Sequence, residues 1–454
     1  MELDIGKKLI KEKKFNRALS FFLNELEKGN KTIRLYFFLG LTYFELNQIH
    51  KSIVYYKLAL KIDPTSINTI LNLANANYVT GNFLSARSLF LKAIKLNKYN
   101  PRPYYGLYLI KPQYLTSKHL LDLTQIKKTK INLYESYLIE FLLSKNAKLK
   151  GNYQLELNHL YKYHSECFKF RNDFNLQGLF YYNEIISKHY KKINFNNTEY
   201  KETDLQNVSP IFIIGLPRSG STLIESIIVA SELNVISLGE TAIFNTSIFN
   251  QIKNYIYQKN FDSKKYNLTL DVRELQKNIN DRYQNYLPNN NRHKVFVDKS
   301  LENFFNIEAI LKIFPNAKFI NSKRNYKDSA LAIFQSMLPD LPWTHSLSNI
   351  LCYIDNYIKI INFYEKKFSN KILSIDLEKL TSKQIFYSKK IFEFCDLPWS
   401  PKVLEFYKKK DLTVKTLSNT QLRNQIFEYN KKKYEPYTSL LKDFKKKYDW
   451  LNKS

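Results

Sequence analysis

The sequence predicts a multidomain protein, an N-terminal α-helical solenoid followed by a C-terminal α/β domain with a parallel sheet. Three observations carry this prediction. A 34-residue period runs through the first hundred positions. A continuous apolar run, Ile211-Phe-Ile-Ile214, leads into a glycine-bearing loop and then into an apolar helix. From residue 210 onward, short strand-like runs alternate with helical stretches, the pattern of a layered α/β fold.

At 454 residues the chain has room for two or three domains. Hydrophobic residues at 44% and aromatics at 15% supply packed cores, which excludes wholesale disorder. No apolar run reaches membrane-spanning length. The start, Met1-Glu-Leu-Asp-Ile-Gly-Lys-Lys8, is mixed in charge and unlike a secretory signal, so a cytoplasmic location is expected. Cys167, Cys352 and Cys395 lie far apart with no CxxC spacing. That argues against a disulfide framework or zinc site, and no metal is expected. The net charge of +29 points to anionic partners. Yet Lys, Asn, Ile, Tyr and Phe are enriched together, a joint bias that AT-rich coding also produces. No arginine cluster with interleaved aromatics marks a nucleic-acid face, so nucleic acid is not an expected partner.

The period is visible when the chain is written under itself. Gly6, Gly40 and Ala74 align, as do Phe15, Ile49 and Phe83; Ala18, Ser52 and Ala86; and Phe22, Tyr56 and Phe90. Small residues recur where helices cross closely, and aromatics recur where a neighbour must be covered. Asn47-Gln48 and Gly81-Asn82 fall at turns between paired helices. The middle copy, with Leu39-Gly40-x-x-Tyr43, Ala59 and Pro64, resembles the tetratricopeptide repeat. Residues 1–100 are therefore read as three such repeats, and 101–200 as a helical capping and bridging region. A polar stretch, Asn194 to Ser209, marks the boundary before a third region, 201–454. A repeat stack offers a peptide- or protein-binding face and is compatible with self-association as a homodimer.

Ile211 to Ile214 reads as a buried parallel strand. Gly215 and Pro217 end it, and Gly220-Ser221-Thr222 supplies a turn and a helix start. Free amide groups and a helix dipole then converge on an anion cradle. The frame Gly215-x4-Gly220-Ser221-Thr222 resembles a Walker A loop with Ser221 in place of the lysine. A cation sits inside the loop instead, as Arg218. Three further short strands follow, ending before Asp298-Lys299-Ser300, before Lys323-Arg324-Asn325, and before Leu377. Ligands of open parallel sheets bind beyond the carboxyl ends of strands, so Arg218, Lys299 and Arg324 are expected in one crevice.

The loop Pro217-Arg218-Ser219-Gly220-Ser221-Thr222 resembles the 5′-phosphosulfate loop of sulfotransferases that use 3′-phosphoadenosine 5′-phosphosulfate (PAPS), especially the tyrosylprotein and tetratricopeptide-bearing bacterial ones. The resemblance implies a P-loop-like sulfotransferase domain with PAPS as co-substrate. Ala317-Lys-Phe-Ile-Asn-Ser-Lys-Arg324 looks like the second PAPS motif, whose arginine holds the 3′-phosphate. The serine usual eight residues later is Ala332 here. Ser329, on nearly the same helical face, substitutes for it, or the 3′-phosphate is held more weakly. Asp298-Lys299 resembles the family's Asp-Lys motif without its following proline. Ser418-Asn-Thr-Gln421-Leu-Arg423 resembles a C-terminal Ser-x-x-Gln-Val-Arg segment. Lys433-Tyr434 stands at the family's Lys/Arg-Trp spacing, though a solvated charge run accounts for Lys433 equally well.

Sulfuryl transfer asks a protein to position reactants and stabilise charge growing on the bridging oxygen. By the resemblance, Arg218, Lys299 and Ser418 stabilise that oxygen. Leu238-Gly239-Glu240 resembles a segment carrying a general-base carboxylate, which makes Glu240 the expected base for a hydroxyl acceptor. The bland alternative for Glu240 is a helix N-terminal carboxylate. His293 and His345 sit in no matching motif, and Trp343 and Trp399 are expected in the core. The acceptor is not fixed; the repeats favour a peptide or protein, with tyrosine or a protein-borne glycan as the hydroxyl bearer. Two other readings stand beside this one. One is a kinase-like nucleotide phosphotransferase, which the missing loop lysine opposes. The other is a repeat scaffold carrying a degenerate transferase domain, for which Ala332 is the best support.

Overall fold

The structure, a computed structural model, describes residues 3–129, 131–198, 208–233, 235–257, 267–284, 286, 295–409, 412–430 and 432–452. His293, Asn234, Lys431 and most of the polar boundary before Ser209 lie outside the described residues. The chain forms two compact units. One comprises Met1–Phe170 with Tyr407–Asn424, and the other Arg171–Phe406 with Gln425–Ser454.

The first unit is helical. Three antiparallel pairs open it: α1 (Asp4–Lys11) with α2 (Phe15–Glu27), α3 (Ile33–Glu45) with α4 (Ile49–Ile62), and α5 (Ile67–Val79) with α6 (Phe83–Leu96). α7 (Arg102–Ile110), α8 (Ser117–Lys128), α9 (Leu133–Leu149) and α10 (Tyr153–Phe170) continue it. The 34-residue period appears as geometry. Lys13, Asn47 and Gly81, one in each pair, all turn through left-handed backbone, with φ of 57°, 60° and 80°. A Cβ on Gly6 would lie 2.4 Å from the Phe22 ring, and one on Gly40 2.6 Å from Tyr56. In the first two pairs the small residue of the first helix thus receives the aromatic of its own second helix, while Phe22 also stacks on Phe38 of the next pair. This sharing of side chains between neighbours is what makes a repeat stack cohere.

The two compact units divide after Phe170, and Tyr407–Asn424 belongs with the first. Tyr104, Leu123, Ile126, Ile139 and Leu142 form one buried cluster, so the apolar stack runs on past residue 100. A segment from the far end of the chain also joins it. Val414 N–H and Asn419 Nδ2 donate to the carbonyls of Val79 and Tyr78, satisfying the C-terminal turn of α5.

The second unit is built on a parallel five-stranded sheet of order β3–β5–β2–β6–β7. The strands are β2 (Ser209–Gly215), β3 (Ile236–Gly239), β5 (Val295–Asp298), β6 (Lys318–Lys323) and β7 (Ile372–Asp376). A separate two-stranded ladder joins β1 (Asn194–Asn196) to β4 (Thr269–Asp271). Helices α11 (Asn172–Phe180) and α12 (Ser187–His189) precede the sheet, flanking a π-helical turn, Tyr181–Ile186, in the region the sequence reads as helical and bridging. The remaining helices are α13 (Ser221–Val229), α14 (Ile243–Ile256), α15 (Val272–Tyr283), α16 (Ile307–Ile313), α17 (Tyr326–Phe334), α18 (Leu347–Lys367), α19 (Leu377–Ser382) and α20 (Gln384–Phe394).

Ile211 to Ile214 are buried because β2 is covered on both faces. Phe212 stacks on Phe319 of β6 and meets Phe244 and Phe296 edge-on, so the centre of the sheet is aromatic. After β2 the chain moves to one side for β3 and β5, then crosses to the other for β6 and β7. That reversal opens a crevice beside the C-terminal end of β2.

Candidate active site

Four strand ends meet at this crevice. β2 delivers the Arg218 loop, β3 delivers Glu240, β5 delivers Lys299 and β6 delivers Arg324. The loop is compressed against β6. Gly215 has φ 139°, and a Cβ there would lie 2.5 Å from the Ser322 carbonyl oxygen. Arg218 is itself left-handed, with φ 66°, a strained state for a residue with a side chain. Hydrogen bonds hold it there. Ser219 Oγ donates to the Leu216 carbonyl at 2.7 Å, Ser322 Oγ donates to the Ser219 carbonyl at 2.9 Å, and Arg324 Nη1 donates to the Arg218 carbonyl at 2.9 Å. Gly220, at φ 95°, then caps α13 with no side-chain acceptor on the helix N-terminus. Ser221 and Thr222 open that helix, whose dipole favours an anion.

Lys299 and Glu240 are brought into contact. The Lys299 N–H donates to the Gly239 carbonyl at 2.9 Å, tying the ends of β5 and β3 together. Lys299 Nζ then reaches Glu240 Oε1 at 2.5 Å and stands 3.7 Å from Glu225 Oε2. Burial opposes the lysine's charge, but Glu225 and Glu240 outweigh it and hold the ammonium above its ordinary pKa. Asp298 is buried and positions its neighbours. Its carboxylate accepts from Thr241 Oγ1 at 2.7 Å, Tyr283 Oη at 2.8 Å and the Ser300 N–H at 2.8 Å. The residue after Glu240 is therefore pinned to the strand that carries Lys299.

Arg324 lies between two tyrosines. Its guanidinium is 4.7 Å from the Tyr429 ring centroid and 5.0 Å from that of Tyr434. It also donates to Tyr429 Oη, which in turn donates to Asp328. Burial pushes the Tyr434 phenol up, but Lys433, Arg324 and Arg218 outweigh it and bring the phenol below its usual range. Three of the expected cofactor cations thus act on one oxygen, although Lys433 itself is exposed. Ser329 is buried in α17, the helix after Arg324, and its Oγ has no hydrogen-bond partner. Ala332 is buried in the same helix.

Ser418 and Arg423 belong to the first unit. There Arg423 Nη2 donates to the carbonyls of Val79 and Leu412, both at 2.8 Å, and Nε donates to Asn419 Oδ1. His345 is buried, and burial brings it down to about 4. Trp343 is buried and stacked on Tyr353 at 3.6 Å.

Sequence reasoning missed Glu225, Tyr429, the tie through Asp298, and Glu302. Glu225 had a signal, being the single charge in the apolar run 223–229. Tyr429 had none, because only the fold brings it to Arg324. Glu302 accepts from Tyr182 Oη at 2.7 Å and Asn245 Nδ2 at 2.9 Å. Burial raises it to about 7; the hydrogen bonds oppose that shift and Glu240 adds to it.

The residues fit a nucleotide carrying phosphate at both ends. An anion-favouring loop, two buried arginine and lysine cations and an orphaned serine hydroxyl in the helix after Arg324 are suited to phosphate oxygens. Among the described residues no group of His, Cys, Asp or Glu could hold a metal ion, and no helix is long and apolar enough to cross a membrane.

Two family models match parts of the chain. Residues 210–401 match the family model described as the sulfotransferase family, and residues 33–66 match the tetratricopeptide repeat. An uncharacterized protein of Aquifex aeolicus (strain VF5) is 32% identical over 239 residues, covering 51% of this chain and 31% of that relative. The chain therefore spans less than a third of that relative's length. Similar solved structures include the sulfotransferase domain from the curacin biosynthetic pathway, at 16% identity and TM-score 0.33, covering 50% of this chain and 90% of that one. Another is sulfotransferase STF1 from Mycobacterium tuberculosis H37Rv, at 13% identity and TM-score 0.32, covering 74% and 97% of the two chains. On the sequence matches, residues 210–401 belong to the sulfotransferase family and residues 33–66 to the tetratricopeptide repeats.

Proposed function

We propose that the protein is a PAPS-dependent sulfotransferase acting on a hydroxyl acceptor. The observation that supports this most directly is the meeting of Arg218, Lys299, Arg324 and Glu240 at four adjacent strand ends. When bound, PAPS supplies an activated sulfuryl group. The Arg218 loop and the start of α13 hold the 5′-phosphosulfate, through Pro217, Ser219, Gly220, Ser221 and Thr222. Arg324, with Ser329, holds the 3′-phosphate, and Lys433 adds positive potential through Tyr434.

Glu240 is the general base. Its side chain is largely exposed, at 59%, and so is free to meet an acceptor. The acceptor O–H proton passes to Glu240 as the acceptor oxygen bonds to sulfur. The sulfur–oxygen bond to phosphate breaks with its electron pair kept on the phosphate oxygen. Lys299 and Arg218 neutralise that oxygen. A well-placed base contributes on the order of 10²–10⁴ in rate. The acceptor class we favour is a peptide or protein hydroxyl recruited by the repeats.

Transfer of sulfur-35 from labelled PAPS to pooled peptide, glycan and small-hydroxyl acceptors tests this reading. Label should appear with wild type and fall at least about 100-fold in Glu240→Gln. Equal transfer by the two proteins removes Glu240 as base. No sulfur-35 transfer, with magnesium-dependent transfer of phosphorus-32 from γ-labelled ATP in its place, would favour a phosphotransferase.

A further inference from the structure

We infer that Glu225 is a positioning residue that keeps Lys299 charged and in place while Glu240 takes the acceptor proton. This rests on the sulfotransferase reading above. α13 reads Ser221-Thr-Leu-Ile-Glu-Ser-Ile-Ile-Val229, so Glu225 is the one ionisable side chain in a helix that otherwise packs apolar groups. It lies one turn below Ser221, on the face that looks toward the loop.

The two carboxylates beside Lys299 differ in freedom. Glu240 is 59% exposed and Glu225 only 12%, while Lys299 itself is 1% exposed. Ser237 Oγ donates to Glu225 Oε1 at 2.5 Å, which fixes that carboxylate from β3. Its other oxygen stands 3.7 Å from Lys299 Nζ. Glu240 can turn toward an acceptor; Glu225 cannot.

The chemistry makes the difference matter. Once Glu240 accepts a proton it no longer balances the ammonium. The other carboxylate facing Lys299 is Asp298, which already accepts hydrogen bonds from Thr241, Tyr283 and the Ser300 N–H. A buried ammonium with too little negative charge around it loses its proton. Its charge would then be missing when the leaving oxygen needs it. Glu225, buried and facing Lys299, Ser237 and Glu240, supplies the standing negative charge. Burial raises its own pKa above the ordinary value and Glu240 adds to the rise, while Lys299 and Ser237 oppose it and favour the ionised form.

The test is the pH dependence of 3′-phosphoadenosine 5′-phosphate (PAP) affinity, which needs no acceptor and no turnover. Every protein also carries Glu240→Gln, so that the group beside Lys299 is neutral, as it is after proton transfer. With Glu240→Gln alone, affinity should stay flat to about pH 9, below the ordinary lysine value. In Glu225→Gln the loss of affinity should begin at least about one pH unit lower. In Glu225→Asp the profile should stay close to that of Glu240→Gln alone. Once Lys299→Ala is in place, adding Glu225→Gln should leave the profile where Lys299→Ala alone puts it. Ser237→Ala, which frees the same carboxylate, should shift the profile in the same direction and serves if Glu225→Gln does not fold. A Glu225→Gln profile that follows Glu240→Gln alone, or a shift that persists in Lys299→Ala, overturns the inference. If wild type binds no PAP at any pH, the sulfotransferase reading fails first, and the inference with it.

Discussion

The guanidinium of Arg324 donates to the backbone carbonyl of Arg218 at 2.9 Å. The side chain expected at one end of the nucleotide thus braces the loop expected at the other. Arg324→Lys removes that brace, because an ammonium on a lysine stem cannot reproduce the planar fork. We expect PAP affinity to fall about 10- to 100-fold, the range for a lost charged hydrogen bond, although the charge is kept. Isothermal titration measures it, and an unchanged affinity would mean that the brace is idle.

The loop's backbone is predicted to be intolerant at Gly215. Alanine there meets the Ser322 carbonyl oxygen at 2.5 Å as well as an unfavourable φ of 139°. Gly239, at φ 69°, has nothing within 4 Å of an added Cβ. Gly239→Ala should therefore cost only backbone strain, about 1–2 kcal/mol. Gly215→Ala should cost clearly more and abolish nucleotide binding. Thermal unfolding of the pair reads the difference.

Glu302 should make stability depend on pH near neutrality. Its folded value, about 7, lies above the reference value of 4.5, so the native state holds this proton longer than the unfolded chain. Stability then falls as pH rises from about 4.5 to about 7, and the full cost stands above that window. Glu302→Gln retains an acceptor for Tyr182 and Asn245. It should be more stable than wild type at pH 8 by on the order of 2 kcal/mol, with the gap closing toward pH 4.5. Denaturant melts at both pH values check the sign.

In the repeat unit, Gly40→Ala drives a methyl to within 2.6 Å of the Tyr56 ring. Overpacking of this kind costs about 1–3 kcal/mol. Leu84, 80% exposed, should tolerate serine within about 0.5 kcal/mol. Hydrogen exchange should place the Gly40→Ala loss in α3 and α4.

Much of this architecture was legible because its signals are local. Residues 211–214 are uniformly apolar since both faces of β2 are covered, and the repeat columns recur since every pair must solve the same packing problem. Arg218, Lys299 and Arg324 could be placed beyond strand ends from the sequence alone. What could not be read depends on distant chain segments. Tyr429 reaches Arg324 from 105 residues away, and Tyr283, the last residue of α15, reaches Asp298 across a stretch mostly outside the described residues. Arg423 carried a motif's spacing, yet its guanidinium closes on carbonyls of Val79 and Leu412, contacts that no local pattern encodes. The π-helical turn at Tyr181–Ile186 likewise sits in a sequence that alone reads as ordinary helix.

The most direct measurement is calorimetric titration with PAP in magnesium-free buffer, beside ATP, for wild type, Arg218→Ala and Arg324→Ala. The account predicts tight PAP binding by wild type, preference over ATP, and loss of binding in both variants. No PAP binding, or a magnesium-dependent preference for ATP, would contradict it.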